Sequence, residues 1–499
     1  MAIGSMSDDG SWAPRLAQEE RLRRLERALA YHATIELQIE RAALLNALDR
    51  RVEAQQAFVD ILMHAPTHFS ALNEFGNCLT SMGRIAAACR VYSEAVAHHP
   101  VNPMGHVNLA NLLLRGGDLA GARRHYETAL QLAPEHRQAH QGLGAVLSAL
   151  GNRAGAQSHF RKGFADCSVA TLPYRGGKPP VPLLLLVSSG SGNIPTASFL
   201  DDRIFLTSVV VADFVDPSSP LPQHRLAFNA IGDADLCSPA LAAAARFIER
   251  MRAPVINAPA AIVDTGRLAV AKRFRGLPGV VTPHMHAMPR ALLAGSAGAA
   301  ELSAQGFSFP LLLRSPGFHT GHNFVLVGSA GELAAAATSL PGDELLAIEY
   351  LHARGSDGMA RKYRVMIVDG RIYPMHLAIS RQWKVHYFTA DMADQADHRR
   401  EEAAFLADMP AVLGAKALVA LERIARELGL DYGGIDFALS PAGDVQLFEA
   451  NATMVVNPPD ADARWDYRRA AVGNILDAVT TMILRRAGDA GKAQAANAA

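Results

Sequence analysis

Cysteine is scarce in this chain. There are four in 499 residues, Cys78, Cys89, Cys167 and Cys237, with no C-x-x-C pair and no metal-finger spacing. That excludes a disulfide framework and a thiolate zinc site, and it predicts reduced thiols in a cytoplasmic protein. Charge of one sign is missing too: 48 Lys and Arg balance 48 Asp and Glu. A net charge of zero gives no global field for nucleic acid or an anionic membrane surface, so neither is an expected partner. No run approaches the roughly 18 apolar residues of a membrane helix, and MAIGSMSDDG has neither the basic nor the apolar region of a secretory leader. What is present is globular composition, 49% hydrophobic and 19% charged, in a chain too long for one ordinary core. Two or three domains are expected.

The first third repeats itself. Pro66, Pro100 and Pro134 stand 34 residues apart, as do Gly83, Gly117 and Gly151. Gly76, Ala110 and Gly144 keep the same step, and so do Ala88, Ala122 and Ala156, and the aromatics Tyr92, Tyr126 and Phe160. Small residues let paired helices approach, the aromatic fills the next gap, Gly turns the chain and Pro ends the second helix. These columns resemble the tetratricopeptide repeat. Three full units are expected over about 69–102, 103–136 and 137–170, with a degenerate one before them (Ala42, Ala54, Phe58, Pro66) and a helical cap from Arg15. The resemblance implies a stack whose concave groove binds a peptide or protein, with Ser70, Asn73, Asn77, Met104, Val107, Asn111, Gln138 and Gln141 lining it.

After GGKPP (176–180) strands and helices alternate. VPLLLLVSSGSGN (181–193) reads as a buried strand reaching a small-residue turn, and LAFNAIGDAD and APVINAPAAIVDTGR repeat that logic. FPLLLRSPGFHTGHNFVLV (309–327) reads as a hairpin with a Gly-containing tip and a cation, Arg314, at its base, suited to covering phosphate. LLAIEYL ends a strand in Glu349, and RKYRVMIVDGRIYPMHLAIS is a hairpin turning at Asp-Gly with Lys362 and Arg364 on one face. In GLDYGGIDFALSPAGDVQLFEANATM, Glu449 and Asn451 alternate along one strand and so project together, and the paired strand adds Asp436. Three hard oxygen ligands suit Mg²⁺ on nucleotide phosphates rather than zinc or copper.

Residues 180–485 resemble the ATP-grasp superfamily, in pattern closest to the bacterial glutathione synthetase type. The motifs are VINAPAAI, the Gly-loop hairpin, EYL, KYRVMIVDG and GIDF…FEANATM. The expected fold is therefore multidomain: an all-α helical-repeat solenoid followed by an α/β (α+β) ATP-grasp fold. The resemblance implies adenine or ribose contacts from Glu349 and Leu351. His319, Thr320 and Gly321 would lie in a loop over the phosphates, and Arg364 would meet phosphate or acyl-phosphate oxygens. Asp436, Glu449 and Asn451 would hold one or two Mg²⁺, with Mn²⁺ as a substitute. Arg267 and Arg314 stand where the family usually has phosphate-binding lysines, a change that keeps the charge. Lys362 joins them at the nucleotide, and Arg381, Lys384 and His386 in SRQWKVHYFTAD occupy the acceptor-facing loop.

The implied reaction joins a small-molecule carboxylate to an amine through an acyl phosphate, with ADP released. A phosphotransferase, or a nucleotide-binding scaffold without turnover, remains the alternative. The resemblance also makes a homodimer reasonable. Expected boundaries are a disordered 1–14, repeats over 15–170, a linker over 171–180, an α/β subdomain over 181–266, the ATP-grasp domain over 267–485 and a disordered tail over 486–499.

Overall fold

The computed structural model describes residues 14–216, 218–318, 323–387 and 390–498. The expected disordered start, 1–14, falls almost wholly outside them. The chain divides into two compact units. The first holds residues up to Leu183 with Ser189–Ser191 and Asp201–Pro222; the second holds Leu184–Ser188, Gly192–Leu200 and everything from Gln223.

The first unit is built from helical hairpins. Its helices are α1 (Pro14–Tyr31), α2 (Ile35–Ala47), α3 (Arg51–His64), α4 (Phe69–Ser81), α5 (Ile85–His98), α6 (Pro103–Arg115), α7 (Leu119–Leu132), α8 (Arg137–Ala149) and α9 (Arg153–Phe164). Side chains of Thr34, His68, Asn102 and His136, again 34 apart, accept from the first turns of α2, α4, α6 and α8 and cap them. Gly83, Gly117 and Gly151 take φ of 73°, 83° and 81° between the helices of a pair, and Asp49 takes 65° at the same place in the degenerate unit. That unit therefore has the repeat's turn without its glycine. A methyl group on Gly144 would lie 2.6 Å from the Phe160 ring, which is why that column stays small.

Two further columns vary together. Tyr92 donates to Asn77 Oδ1 at 2.7 Å, and Tyr126 to Asn111 Oδ1 at 2.6 Å. Where the aromatic is Phe58 or Phe160, the facing residue is Ala43 or Ala145. The hydroxyl and its acceptor come and go as a pair, as expected when neither tolerates a missing partner. Accordingly, Tyr126→Phe should cost about 1 kcal/mol in urea unfolding, and adding Asn111→Ala should recover most of it. A double mutant no more stable than the single would show that the pairing is incidental.

The hydrogen bonds also correct the groove. Val107 is fully buried in the repeat core. Asn77 and Asn111 accept from tyrosines, Asn73 Oδ1 accepts from Asn108, and Gln141 donates to the Gly163 carbonyl. The carboxamides expected to line the groove mostly bind their own repeats.

Strand β1 (Val169–Thr171) pairs antiparallel with β3 (Phe205–Val211) in this same unit; β2 is Val181–Val187.

In the second unit β4 (Leu226–Asn229) pairs parallel with β5 (Val255–Ile256). The other strands are β6 (Val280–Val281), β7 (Met285–Pro289), β8 (Leu311–Arg314), β9 (Phe324–Val327), β10 (Glu344–Glu349), β11 (Ala360–Val368), β12 (Arg371–Ser380), β13 (Tyr432–Leu439) and β14 (Val445–Asn451). They form a four-stranded sheet in the order β7-β10-β8-β9 and a five-stranded sheet in the order β12-β11-β13-β14-β6. The β11–β12 hairpin turns at Asp369 and Gly370, with φ of 52° and 76°, the left-handed pair that a two-residue turn requires. Just after β5, Asn257 is fully buried with φ of 54°. Its side chain accepts from the N–H groups of Asp431 and Tyr432 and donates to the Tyr432 carbonyl, fixing where β13 begins.

The last helix runs Arg469–Ala498, through the stretch expected to be a tail; its Ala, Lys and Gln favour helix. Among the described residues no single helix is long and apolar enough to cross a membrane. The bent pair Ala396–Ala407 and Met409–Leu428 passes by length and composition, and its Phe405, Leu413, Leu421 and Ile424 are buried core residues.

Candidate active site

Both sheets of the second unit contribute to one cavity of about 460 Å³. One end is apolar and aromatic. Met285, Leu312 and Ile348 belong to a packed cluster that Phe324, Tyr350 and Trp383 cover, with the Phe324 and Trp383 rings edge to face at 5.3 Å. The other end carries Arg267, Lys362 and Arg364 paired with Asp436 and Glu449, and Arg314 joins the two ends, its guanidinium 5.5 Å over the Phe324 ring. Four cations to two carboxylates leave that side positive. A flat apolar ring with a polyanionic tail matches the two ends.

Strand register sets the charged end. Arg364, Asp436 and Glu449 are cross-strand partners on β11, β13 and β14, so they form one row on one face; His376 on β12 extends it. A register shift between Asp436 and Phe437 leaves Phe448 unpaired on β14, and its carbonyl accepts from Arg267 at 3.4 Å. Arg364 donates to Asp436 Oδ2 at 2.8 Å and Lys362 at 3.1 Å, while Arg267 and Glu449 pair at 2.9 Å.

Burial opposes ionisation of Asp436, yet Arg364 and Lys362 hold its carboxyl well below the usual range. The same contest leaves Glu449 low, with Arg267 as the main charge holding it. Arg364 is also penalised by burial, but Asp436 raises its pKa. Arg314 donates to the Phe318 carbonyl and binds no carboxylate among the described residues; burial and then Arg267 push it down to about 10. It remains a cation at neutral pH.

The other expected residues are distributed unevenly. Glu349 and Leu351 line the cavity, and the Glu349 carboxylate accepts from the His284 backbone N–H at 2.8 Å. Lys384 and His386 line it too, Lys384 donating to the Phe324 carbonyl at 3.3 Å. Arg381 is exposed and is not part of the lining, because β12 ends at Ser380 and the chain turns there; its backbone N–H donates to Asp391. His319, Thr320 and Gly321 lie outside the described residues.

The donor set for a divalent cation fits in part. Asp436 and Glu449 are adjacent hard oxygen donors. Asn451 is turned the other way: its Nδ2 donates to Glu449 at 2.8 Å and its Oδ1 accepts from the Thr453 backbone and hydroxyl. Among the described residues no three His, Cys, Asp or Glu side chains gather as a metal-binding group.

Sequence reasoning missed the aromatic cover. Phe324 sits inside the Gly-loop hairpin, Tyr350 inside EYL and Trp383 inside SRQWKVHYFTAD, but none of the three was itself an expected site residue. Gly192 and Asn193 also line the cavity, from the turn after VPLLLLV that reads as ligand-facing in sequence without a named site residue; Gly192 takes φ of 87° and the Asn193 side chain braces both the N–H and the carbonyl of Ser188. A small-residue turn after an apolar strand was the available signal.

A family model described as tetratricopeptide repeat matches residues 76–137 and 107–162. The N-terminal region thus carries tetratricopeptide repeats, and such repeats point to protein–protein interaction. No curated protein matches the chain. Similar solved structures include "MamA RS-1 ArsTM double mutant", at 24% identity over 30% of this chain and 83% of that one, with a TM-score of 0.27. "MamA 41-end from Desulfovibrio magneticus RS-1" has 24% identity, coverage of 30% and 85%, and a TM-score of 0.27. The Cut9–Hcn1 hetero-tetramer of the APC/C has 15% identity, coverage of 30% and 29%, and a TM-score of 0.28.

Proposed function

We propose that the second unit is an ATP-dependent ligase of ATP-grasp type, which activates a carboxylate as an acyl phosphate and joins it to an amine, and that the repeats bring it a peptide or protein. The observation that carries this reading is the two-ended cavity, apolar and aromatic at one end and cationic at the other. Adenine would lie among Met285, Leu312, Ile348 and Trp383. Arg267, Arg314, Lys362 and Arg364 would hold the phosphates, Arg by its planar fork and Lys as a point charge. Asp436 and Glu449 would hold Mg²⁺, which supplies charge neutralisation at the phosphates when bound. Lys384 and His386 would meet the carboxylate at the phosphate end. The ring cover would enclose the base, and the rest of the catalysis is positioning.

A second reading, a nucleotide-binding scaffold, draws on the way Arg364 and Lys362 occupy Asp436. ADP release from MgATP, measured against pools of amino acids and short peptides, separates the two. Carboxylate-dependent release is expected, falling on the order of 10²–10³-fold in Glu449→Ala. Release without any amine would indicate a phosphotransferase, and nucleotide binding with no release in any mixture would indicate the scaffold.

A further inference from the structure

Beside the cavity, and sharing Lys362, Arg364 and His386 with it, is a second chamber of about 290 Å³. Arg468, the last residue of the 3-10 helix Ala463–Arg468, lines this chamber and not the first. Its side chain is only 9% exposed. Glu402, wholly buried, lies 3.5 Å from Arg468 Nε, an ion-pair separation too long for a hydrogen bond. The Tyr387 ring lies under the guanidinium at 4.3 Å.

Glu402 is itself held by the Leu377 N–H and by the hydroxyls of Tyr387 and Tyr467. One edge and one face of Arg468 are therefore fixed, and its guanidinium makes no hydrogen bond among the described residues. His376 lines the same chamber, 5% exposed, with its Nδ1 buried and without a hydrogen bond among the described residues. Burial, and then Arg364, keep that imidazole neutral.

We propose that this chamber binds a small dicarboxylate, gripped at one end by Arg468 with His376 as a second contact, and presenting its other carboxylate at the wall shared with the cavity. As the seat of the acid to be activated it rests on the nucleotide reading of the neighbouring cavity. The planar guanidinium fork matches a carboxylate in two parallel hydrogen bonds. Arg468 belongs to the chamber alone, whereas Lys362, Arg364 and His386 face both spaces. An anchored group and a reacting group are thus separate, and one molecule must carry both. The volume admits a metabolite rather than a chain. At the shared wall, a carboxylate oxygen forms a bond to the γ-phosphorus as the bond from that phosphorus to the ADP oxygen breaks. An amine nitrogen then bonds the acyl carbon, phosphate leaves and the amine loses a proton.

Calorimetry on the full chain tests this with succinate, glutarate and glutamate, against propionate, glutamine and inorganic phosphate, and with MgATP titrated separately. At least one dicarboxylate should bind about tenfold or more tightly than propionate and phosphate. Arg468→Met removes that preference. Because Arg468→Met also strips Glu402 of its cation, Arg468→Met/Glu402→Gln is the second variant, expected to fold, to bind MgATP as the parent does, and to lose the dicarboxylate. No binding of any dicarboxylate, equal binding of phosphate or propionate, or retention in the double variant overturns the proposal. Dicarboxylate binding without MgATP binding would sink the nucleotide reading and leave the chamber standing.

Discussion

Asp436→Asn is expected to destabilise the second unit by about 3–5 kcal/mol, the cost of leaving buried cations without their anion. Asp436 is 4% exposed at its side chain, Arg364 20% and Lys362 16%, so solvent from the cavity replaces the lost carboxylate only in part. Urea unfolding of the second-unit transition measures this. Arg364→Met in the same background should recover part of the loss, since the two residues act as one pair. The pH dependence follows from the direction of the shift. A carboxyl held low in the folded state contributes stability that is fully present above its unfolded pKa of about 3.9 and is lost as pH falls below it. The parent should therefore lose stability steeply below about pH 4, and the variant less so. Equal slopes would mean that other carboxylates dominate acid unfolding.

Asn257→Ala should cost about 3 kcal/mol, because it leaves the Asp431 and Tyr432 N–H groups and the Tyr432 carbonyl without their side-chain partners. Alanine is also strained at φ of 54°, so Asn257→Gly should be milder by about 1 kcal/mol. Tyr432 opens the strand that carries Asp436. Weaker nucleotide binding than the fall in stability explains would show that the asparagine also aims the site. A loss below about 1 kcal/mol would show that water replaces the side chain.

The repeats were readable in sequence because their cause is local: a glycine turn, a cap and a small residue under a ring recur every 34 positions. The Asp369–Gly370 hairpin was readable for the same reason. Strand alternation correctly put Asp436, Glu449 and Asn451 on one face, but it said nothing of what they touch. Arg364 and Asp436 are 72 residues apart, and only the β11–β13 register makes them partners. Asn451 offers Glu449 an N–H rather than offering a metal an oxygen, a matter of one torsion that no motif encodes. The groove asparagines failed differently: their pattern is periodic because tyrosines use them. Arg468 and Glu402 come from a 3-10 turn and a distant helix with no spacing in common, so the second chamber left no trace in the chain order.

The hydroxyl–carboxamide pairs join the first helix of a repeat to the second helix of that same repeat: Asn77 on α4 with Tyr92 on α5, Asn111 on α6 with Tyr126 on α7. Whole hairpins can then be duplicated, deleted or reordered with every such pair carried along. A crossover inside a hairpin, between an Asn–Tyr repeat and an Ala–Phe one, instead mates a tyrosine with an alanine or strands an asparagine against a phenylalanine. Recombination among these repeats is therefore tolerated in 34-residue steps cut between hairpins, and any library built by shuffling this region should place its junctions there.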